Sequence, residues 1–237
     1  LIFSFSLGAQ IRKSEENRYF VSAVTLYSFG QYKDALGLFD GLIDVNPLDD
    51  ASYYYGGLCH YSMRNLQKAL TYFEKAHSLD PNNYYYSQIL ASVYSVGLNT
   101  KDKAIVLLED LAVNYPKRTD SYFLLYTLYA EKGEIDKALA AVKHIEEAYG
   151  ENPNTIRIRF NLLKSVGREE EGYALLREYY AGAEEGQIEP DEWIFFSEVY
   201  MSAGKDSLAL VCLENAKKTD NPDKTIDFRI AQGYFDQ

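Results

Sequence analysis

Residues 50–83 read DASYYYGGLCHYSMRNLQKALTYFEKAHSLDPNN, and this stretch decides the fold. Tyr53, Gly56, Gly57 and His60 fall at three- and four-residue steps, the spacing of one helix face. After a polar break at Arg64-Asn65, Ala69, Phe73 and Ala76 do the same, so the segment reads as helix, tight turn, helix. Small residues at Gly57, Ala69 and Ala76 let two backbones approach, and Tyr53, Tyr72 and Phe73 fill the space beside them. Asp50 or Ser52 is expected to cap the first helix, and Pro81 disfavours helical geometry at Asp80 and ends the second.

Variants of this unit recur on both sides of it. Stepping back thirty-four residues gives a unit at 16–49 with Tyr19, Ala23, Gly30, Ala35, Phe39 and Pro47 in matching places. Stepping forward gives 84–118, with Ala91, Tyr94, Ala104, Leu108 and Pro116 once one extra residue is allowed in the Gly97–Lys103 turn. A fourth unit, 119–152, keeps Tyr122, Tyr129, Gly133, Ala138 and Val142, and Gly150 replaces the closing proline, where it is expected to adopt the left-handed conformation. The fifth, 153–189, diverges: Phe160 and Gly172 stand where other units have a small residue and an alanine, and Gly182–Glu189 reads as a loop. The sixth, 190–223, recovers the pattern with Trp193, Phe196, Tyr200, Gly204 and Ala209, and 224–237 starts a partial unit or capping helix.

The small residue late in the first helix, the alanine early in the second, the aromatic four residues on and the closing proline resemble the tetratricopeptide repeat family. That resemblance covers Glu16 to the end. It implies an all-α fold, a right-handed superhelical α-solenoid of helix–turn–helix repeats. One hairpin cannot bury enough apolar surface to offset its ordering entropy, so neighbouring units must stack.

Composition agrees with a globular chain: 47% of the 237 residues are hydrophobic and 25% charged. Tyrosine is the anomaly, with 22 residues beside 12 Phe and one Trp. The net charge of -11 argues against nucleic-acid binding, which needs clustered Lys and Arg. Residues 1–118 carry net -1 and residues 119–237 net -10, so the second half should repel anionic surfaces. Leu1–Gln10 resembles the end of a secretory signal peptide, which would make the chain exported, periplasmic or at the cell surface. The competing reading of residues 1–15 is an apolar first helix tucked against the first repeat, in a cytoplasmic protein. No stretch reaches the ~20 apolar residues a membrane span needs.

Catalytic and cofactor signatures are missing from the sequence: no glycine-rich phosphate loop, no Gly-x-Ser-x-Gly elbow, no His-Glu-x-x-His pair, no paired cysteines at zinc spacing. The expectation is a non-enzymatic chain without cofactor or metal. Cys59 and Cys212 lie in distant units and are not expected to pair. His60 takes an inward place and reads as a packed, hydrogen-bonded core histidine, and His144 beside Glu146 and Glu147 as a solvated face. Glu169–Glu171 suits a helix N-terminus.

In the resembling family the concave face is lined mainly by the first helix of each repeat. The candidate partner-binding residues are those that turn away from the core there: Phe20, Tyr27, Tyr54, Tyr61, Tyr85 and Phe123. Such rings can grip a peptide, or they can pack on the adjacent repeat. In the fifth unit Arg157, Asn161 and Lys164 recur on the same stripe. They fit three readings: part of a clamp for a partner's terminal carboxylate, a contact for an acidic partner, or surface pairing with Glu169–Glu171 or Glu198. The expected function is a protein–protein interaction scaffold holding a segment of another protein or peptide, with self-association through terminal repeats as a further partner class. The alternative is a regulatory or sensory arm of a longer polypeptide continuing past residue 237.

Overall fold

The computed structural model describes residues 2–97, 99–182, 188–218, 225–227 and 230, with side chains from Glu15 onward except at 180 and 182. It is all helical there: α1 (Ile2–Ser28), α2 (Tyr32–Val45), α3 (Asp50–Ser62), α4 (Leu66–Leu79), α5 (Tyr84–Ser95), α6 (Lys101–Asn114), α7 (Asp120–Glu131), α8 (Ile135–Tyr149), α9 (Pro153–Ser165), α10 (Glu169–Gly182), α11 (Pro190–Ser202) and α12 (Asp206–Lys217). These helices form two compact units, Leu1–Lys132 and Gly133–Gln237. The division falls in the turn of the expected fourth repeat, leaving α7 in the first unit and α8 in the second.

The first unit is three helical hairpins, α1–α2, α3–α4 and α5–α6, followed by α7; the second packs α9 with α10 and α11 with α12. The expected segment at residues 1–15 is continuous in its backbone with α1 from Ile2, its side chains before Glu15 lying outside the description. Most of the Gly182–Glu189 loop and of the partial unit after Lys224 also lies outside it, though Ile226 is buried with Leu213 and Ala216 beside Trp193.

Local chemistry fixes the helix ends. Asp49, not Asp50 or Ser52, caps α3: its carboxylate accepts the Ser52 N–H at 3.2 Å and the Ser52 hydroxyl at 2.6 Å. Asn83 caps α5, and Asn152 and Thr155 form a capping box on α9. At the end of α8, Gly150 has φ 82° but ψ 156°, the extended mirror region rather than the left-handed helix. Among the described residues, five hairpin turns have one residue at positive φ in the same register: Gly30, Gly133, Gly167 and Gly204, with Arg64 at φ 64° in the second repeat.

The core repeats in the same register. Ala35, Ala69, Ala104, Ala138 and Ala209 are fully buried at one position of the second helix, and Phe39, Phe73, Leu108, Val142 and Leu213 are fully buried four residues on. A methyl carbon placed on Gly57 would lie 2.6 Å from the Phe73 ring, so only glycine lets that ring seat against α3. The divergent fifth repeat inverts this arrangement. Phe160 on α9 supplies the ring and Gly172 on α10 the space, with 2.8 Å between a Gly172 methyl and the ring.

Tyrosines tie successive repeats through carboxylates. Tyr94 donates to Glu74, and one repeat later Tyr129 donates to Glu109, both at 2.5 Å. Tyr72 donates to Asp40 at 2.7 Å, Tyr86 to Asp50 at 2.9 Å and Tyr84 to Asp120 at 3.0 Å. Burial first, then the accepting carboxylate, raises the pKa of Tyr72, Tyr86 and Tyr94. Burial also pushes Tyr200 up to about 12. In each pair the buried or half-buried tyrosine places its hydroxyl on a carboxylate of the neighbouring repeat, which satisfies the hydroxyl without adding a cation.

Two outcomes follow. Replacing Arg64 by Gly should raise stability by roughly 0.5–1 kcal/mol in urea unfolding, because relief of left-handed strain outweighs glycine's added chain entropy. These tyrosines are protonated in the folded chain and titrate normally once it unfolds, so their contribution is complete below about pH 10 and lost as pH climbs above it. The melting temperature should therefore fall above that pH, and Tyr94→Phe should both cost about 1 kcal/mol at neutral pH and flatten the alkaline decline.

Candidate functional site

The stripe that turns away from the core on each first helix has a simple register. Its three places hold Phe20, Val24 and Tyr27 on α1, Tyr54, Leu58 and Tyr61 on α3, Gln88, Ser92 and Ser95 on α5, and Phe123, Thr127 and Ala130 on α7. The aromatic character is thus interrupted by a polar third repeat, with Tyr85 standing one turn before Gln88.

The six aromatic candidates separate into two groups. Phe20 is half-buried, edge-on to Phe39 at 5.7 Å and to Tyr55 at 5.6 Å. Tyr27 is half-buried against Tyr32 and Tyr55. Tyr54 lies 5.0 Å from Tyr86 and 6.2 Å from Phe73, and burial raises its pKa, with neighbouring Tyr55, Tyr27 and Tyr85 adding to the shift. These three rings serve the packing between repeats. Tyr61, Tyr85 and Phe123 stand out from the surface, 46%, 58% and 46% exposed.

Beside Tyr85 lies a feature that the sequence reading missed. The Arg118 guanidinium sits 4.1 Å from the centre of the Tyr84 ring and 5.5 Å from that of Tyr85, with Asp120 3.8 Å away. Stacking on two rings holds a cation at the edge of the exposed Tyr85. Arg118 lies one period beyond Tyr84, which is the signal that could have found it.

In the second unit Asn161 and Lys164 are exposed, but Arg157 is engaged. Its Nη2 pairs with Oε1 of Glu192 on α11, and its guanidinium lies 4.3 Å over the Phe195 ring. Its carboxylate partner is therefore Glu192, not Glu169–Glu171 or Glu198. Of that run, Glu171 pairs with Arg168, which also binds Asp136, and Glu170 pairs with Lys205. An arginine already charge-paired and stacked is poorly placed to receive a terminal carboxylate, which leaves only Asn161 and Lys164 of the three free to face solvent.

The groups with chemical potential elsewhere are structural. Cys59 and Cys212 are both buried, and burial pushes the Cys59 thiol up to about 11, away from thiolate reactivity. His60 is buried as expected, with its ring 5.0 Å edge-on from Tyr72, yet its Nδ1 has no hydrogen-bond partner, so the expected hydrogen bond at that atom is not formed. Burial lowers its pKa and holds it neutral. His144 pairs with Glu147 at 3.2 Å on an exposed face. Among the described residues no group of three His, Cys, Asp or Glu side chains is arranged to hold a metal, and no helix is long and apolar enough to cross a membrane.

Comparisons with known proteins bear on the repeat itself. The family model described as "Tetratricopeptide repeat" matches residues 51–83. The chain is 26% identical over 155 residues to the TPR repeat-containing protein MJ1428 of Methanocaldococcus jannaschii, covering 63% of this chain and 26% of that protein's length. Among solved structures, MamA from Desulfovibrio magneticus aligns with a TM-score of 0.60 at 17% identity, over 69% of this chain and 92% of that one. A tetratricopeptide repeat protein from Parabacteroides merdae aligns with a TM-score of 0.54 at 12% identity, over 97% of this chain and 90% of that one. At these identities the structural likeness speaks for the fold.

Glu192 has little exposure, so stripping its partner should cost stability. Arg157→Ala should lose about 1–3 kcal/mol in urea unfolding, whereas Lys164→Ala should stay within about 0.5 kcal/mol of the parent.

Proposed function

We propose that this chain, whose residues 51–83 match the tetratricopeptide repeat model, is a scaffold without catalytic chemistry of its own, holding a segment of another protein against the first-helix face of residues 1–132. The observation that carries this reading is the set of exposed rings Tyr61, Tyr85 and Phe123 on α3, α5 and α7. Large rings on rigid helices offer contact area at small entropic cost, because the helices are ordered before the partner arrives. Gln88, Ser92 and Ser95 between them supply hydrogen-bonding groups, and Arg118 on its tyrosine shelf supplies a fixed positive charge. A partner segment suited to this face pairs apolar side chains with backbone polar groups and carries an acidic residue toward Arg118.

Export to the periplasm or cell surface belongs to the same proposal, supported by the apolar Leu1–Gln10 sequence. N-terminal sequencing of the mature protein, finding a start at or near Gln10, would support it, and an intact apolar start would reject it. A second reading, an arm within a longer polypeptide, is favoured by the match to only 26% of the length of the relative. The intact mass of the native protein distinguishes it from a self-standing scaffold.

Affinity capture with Tyr61→Ala, Tyr85→Ala and Phe123→Ala combined should lose at least about tenfold in partner affinity. All three rings are exposed, so the melting temperature should hold. Equal partner recovery by the folded triple variant would reject the face.

A further inference from the structure

A cleft of about 490 Å³ opens between α1 and α2, lined by Tyr19, Leu38, Leu42 and Val45 over Gly37 and Gly41, with Glu15 and Glu16 at its rim. Two of its apolar residues are open to solvent, Tyr19 at 52% and Val45 at 62% exposed, while Leu38 is half-buried and Leu42 forms the buried floor. A methyl group added to either glycine would have nothing within 4 Å. The next repeat shows what this place holds when it is filled. Thirty-four residues on, Asp49 and Asp50 stand for the two glutamates, Tyr53 for Tyr19, Thr71 for Gly37, Tyr72 for Leu38 and Lys75 for Gly41. There Tyr72 packs edge-on against Tyr53 at 5.8 Å, and the Lys75 ammonium lies 6.0 Å over the Tyr53 ring. The first repeat keeps the acidic pair and the ring but replaces the lysine with glycine.

We propose that this cleft binds a lysine or arginine side chain borne on an apolar segment of another protein. The cation takes the place over Tyr19 that Lys75 takes over Tyr53, within reach of two carboxylates. The apolar flank of the segment covers Leu38 and Val45, and the missing side chains at Gly37 and Gly41 let its backbone approach α2 closely. Among the described residues the lining carries two carboxylates and no basic side chain, which favours a cation over an anion. A neighbouring hollow of about 300 Å³ shares Glu16 and Leu42 and adds Asp49, which continues the acidic rim toward α3 and suits an extended or helical segment over a lone side chain. The cleft is distinct from the exposed-ring face and takes the opposite charge to the one Arg118 receives.

Isothermal titration of the whole chain with two capped helical peptides of Ala, Leu and Gln decides this, one peptide carrying lysines at its centre and the other glutamates at the same places. The lysine peptide should bind, more weakly as salt rises, and the glutamate peptide should not. Gly41→Lys restores the arrangement of the second repeat at an open helical position and should weaken binding about tenfold or more without lowering the melting temperature. Glu15→Gln with Glu16→Gln should also weaken binding and flatten its salt dependence. Equal binding of the two peptides, undiminished binding by both variants, or no binding of the lysine peptide would overturn the proposal.

Discussion

An aromatic ring seated against a glycine is the contact that shapes the α3–α4 and α9–α10 hairpins, whereas α6, α8 and α12 put Leu108, Val142 and Leu213 at the place of the Phe73 ring. With Gly57 and Phe73 the clearance is so small that a single added methyl would overlap the ring at 2.6 Å. A ring that close draws two helix axes together, fixes which faces meet and so sets the angle at which the hairpin presents its outer surface to the next one. The requirement is for one large and one absent side chain, not for a given residue at a given place. The fifth repeat demonstrates this by moving the ring to Phe160 and the gap to Gly172.

Given hairpins of that shape, tyrosine is what joins them. A hydroxyl on one helix that reaches a carboxylate on another lets the chain bury ring area while satisfying an acid, as in Tyr94 with Glu74 and Tyr129 with Glu109. Tyrosine and carboxylate thus work as one device in residues 1–132, where all five of these pairs lie. They also leave rings in excess of what packing uses, and those excess rings, Tyr61, Tyr85 and Phe123, are the material of the proposed partner face.

Much of the fold was legible because a repeat supplies its own controls. Positions where small residues and rings recur could be separated from positions where they do not, and the helices begin close to the places read from the period. What escaped depends on single-residue offsets or on distant pairs. Asp49 rather than Asp50 caps α3 because the cap must lie outside the first turn, a one-residue distinction among neighbouring polar groups. Arg157 and Glu192 are a full repeat apart, so nothing local announces their pairing. Tyr54 and Tyr61 share one stripe, yet Tyr86 of the next repeat covers only Tyr54. The cleft over Tyr19 was invisible for the converse reason: it consists of side chains that the first repeat lacks, and only the filled counterpart around Tyr53 and Lys75 shows that something is missing.

The ring-and-gap constraint is tested most directly by a double-mutant cycle in urea at Phe160 and Gly172. Phe160→Gly and Gly172→Ala each remove one half of the pair, the first leaving a cavity and the second forcing an overlap, and together they recreate the small-residue and alanine pair of the second repeat. Each single change should destabilise the chain, while the double variant should be less destabilised than the two costs added, with a coupling of about 1–3 kcal/mol. Costs that simply add, within about 0.5 kcal/mol, would contradict the claim that the helices are held by this one steric match.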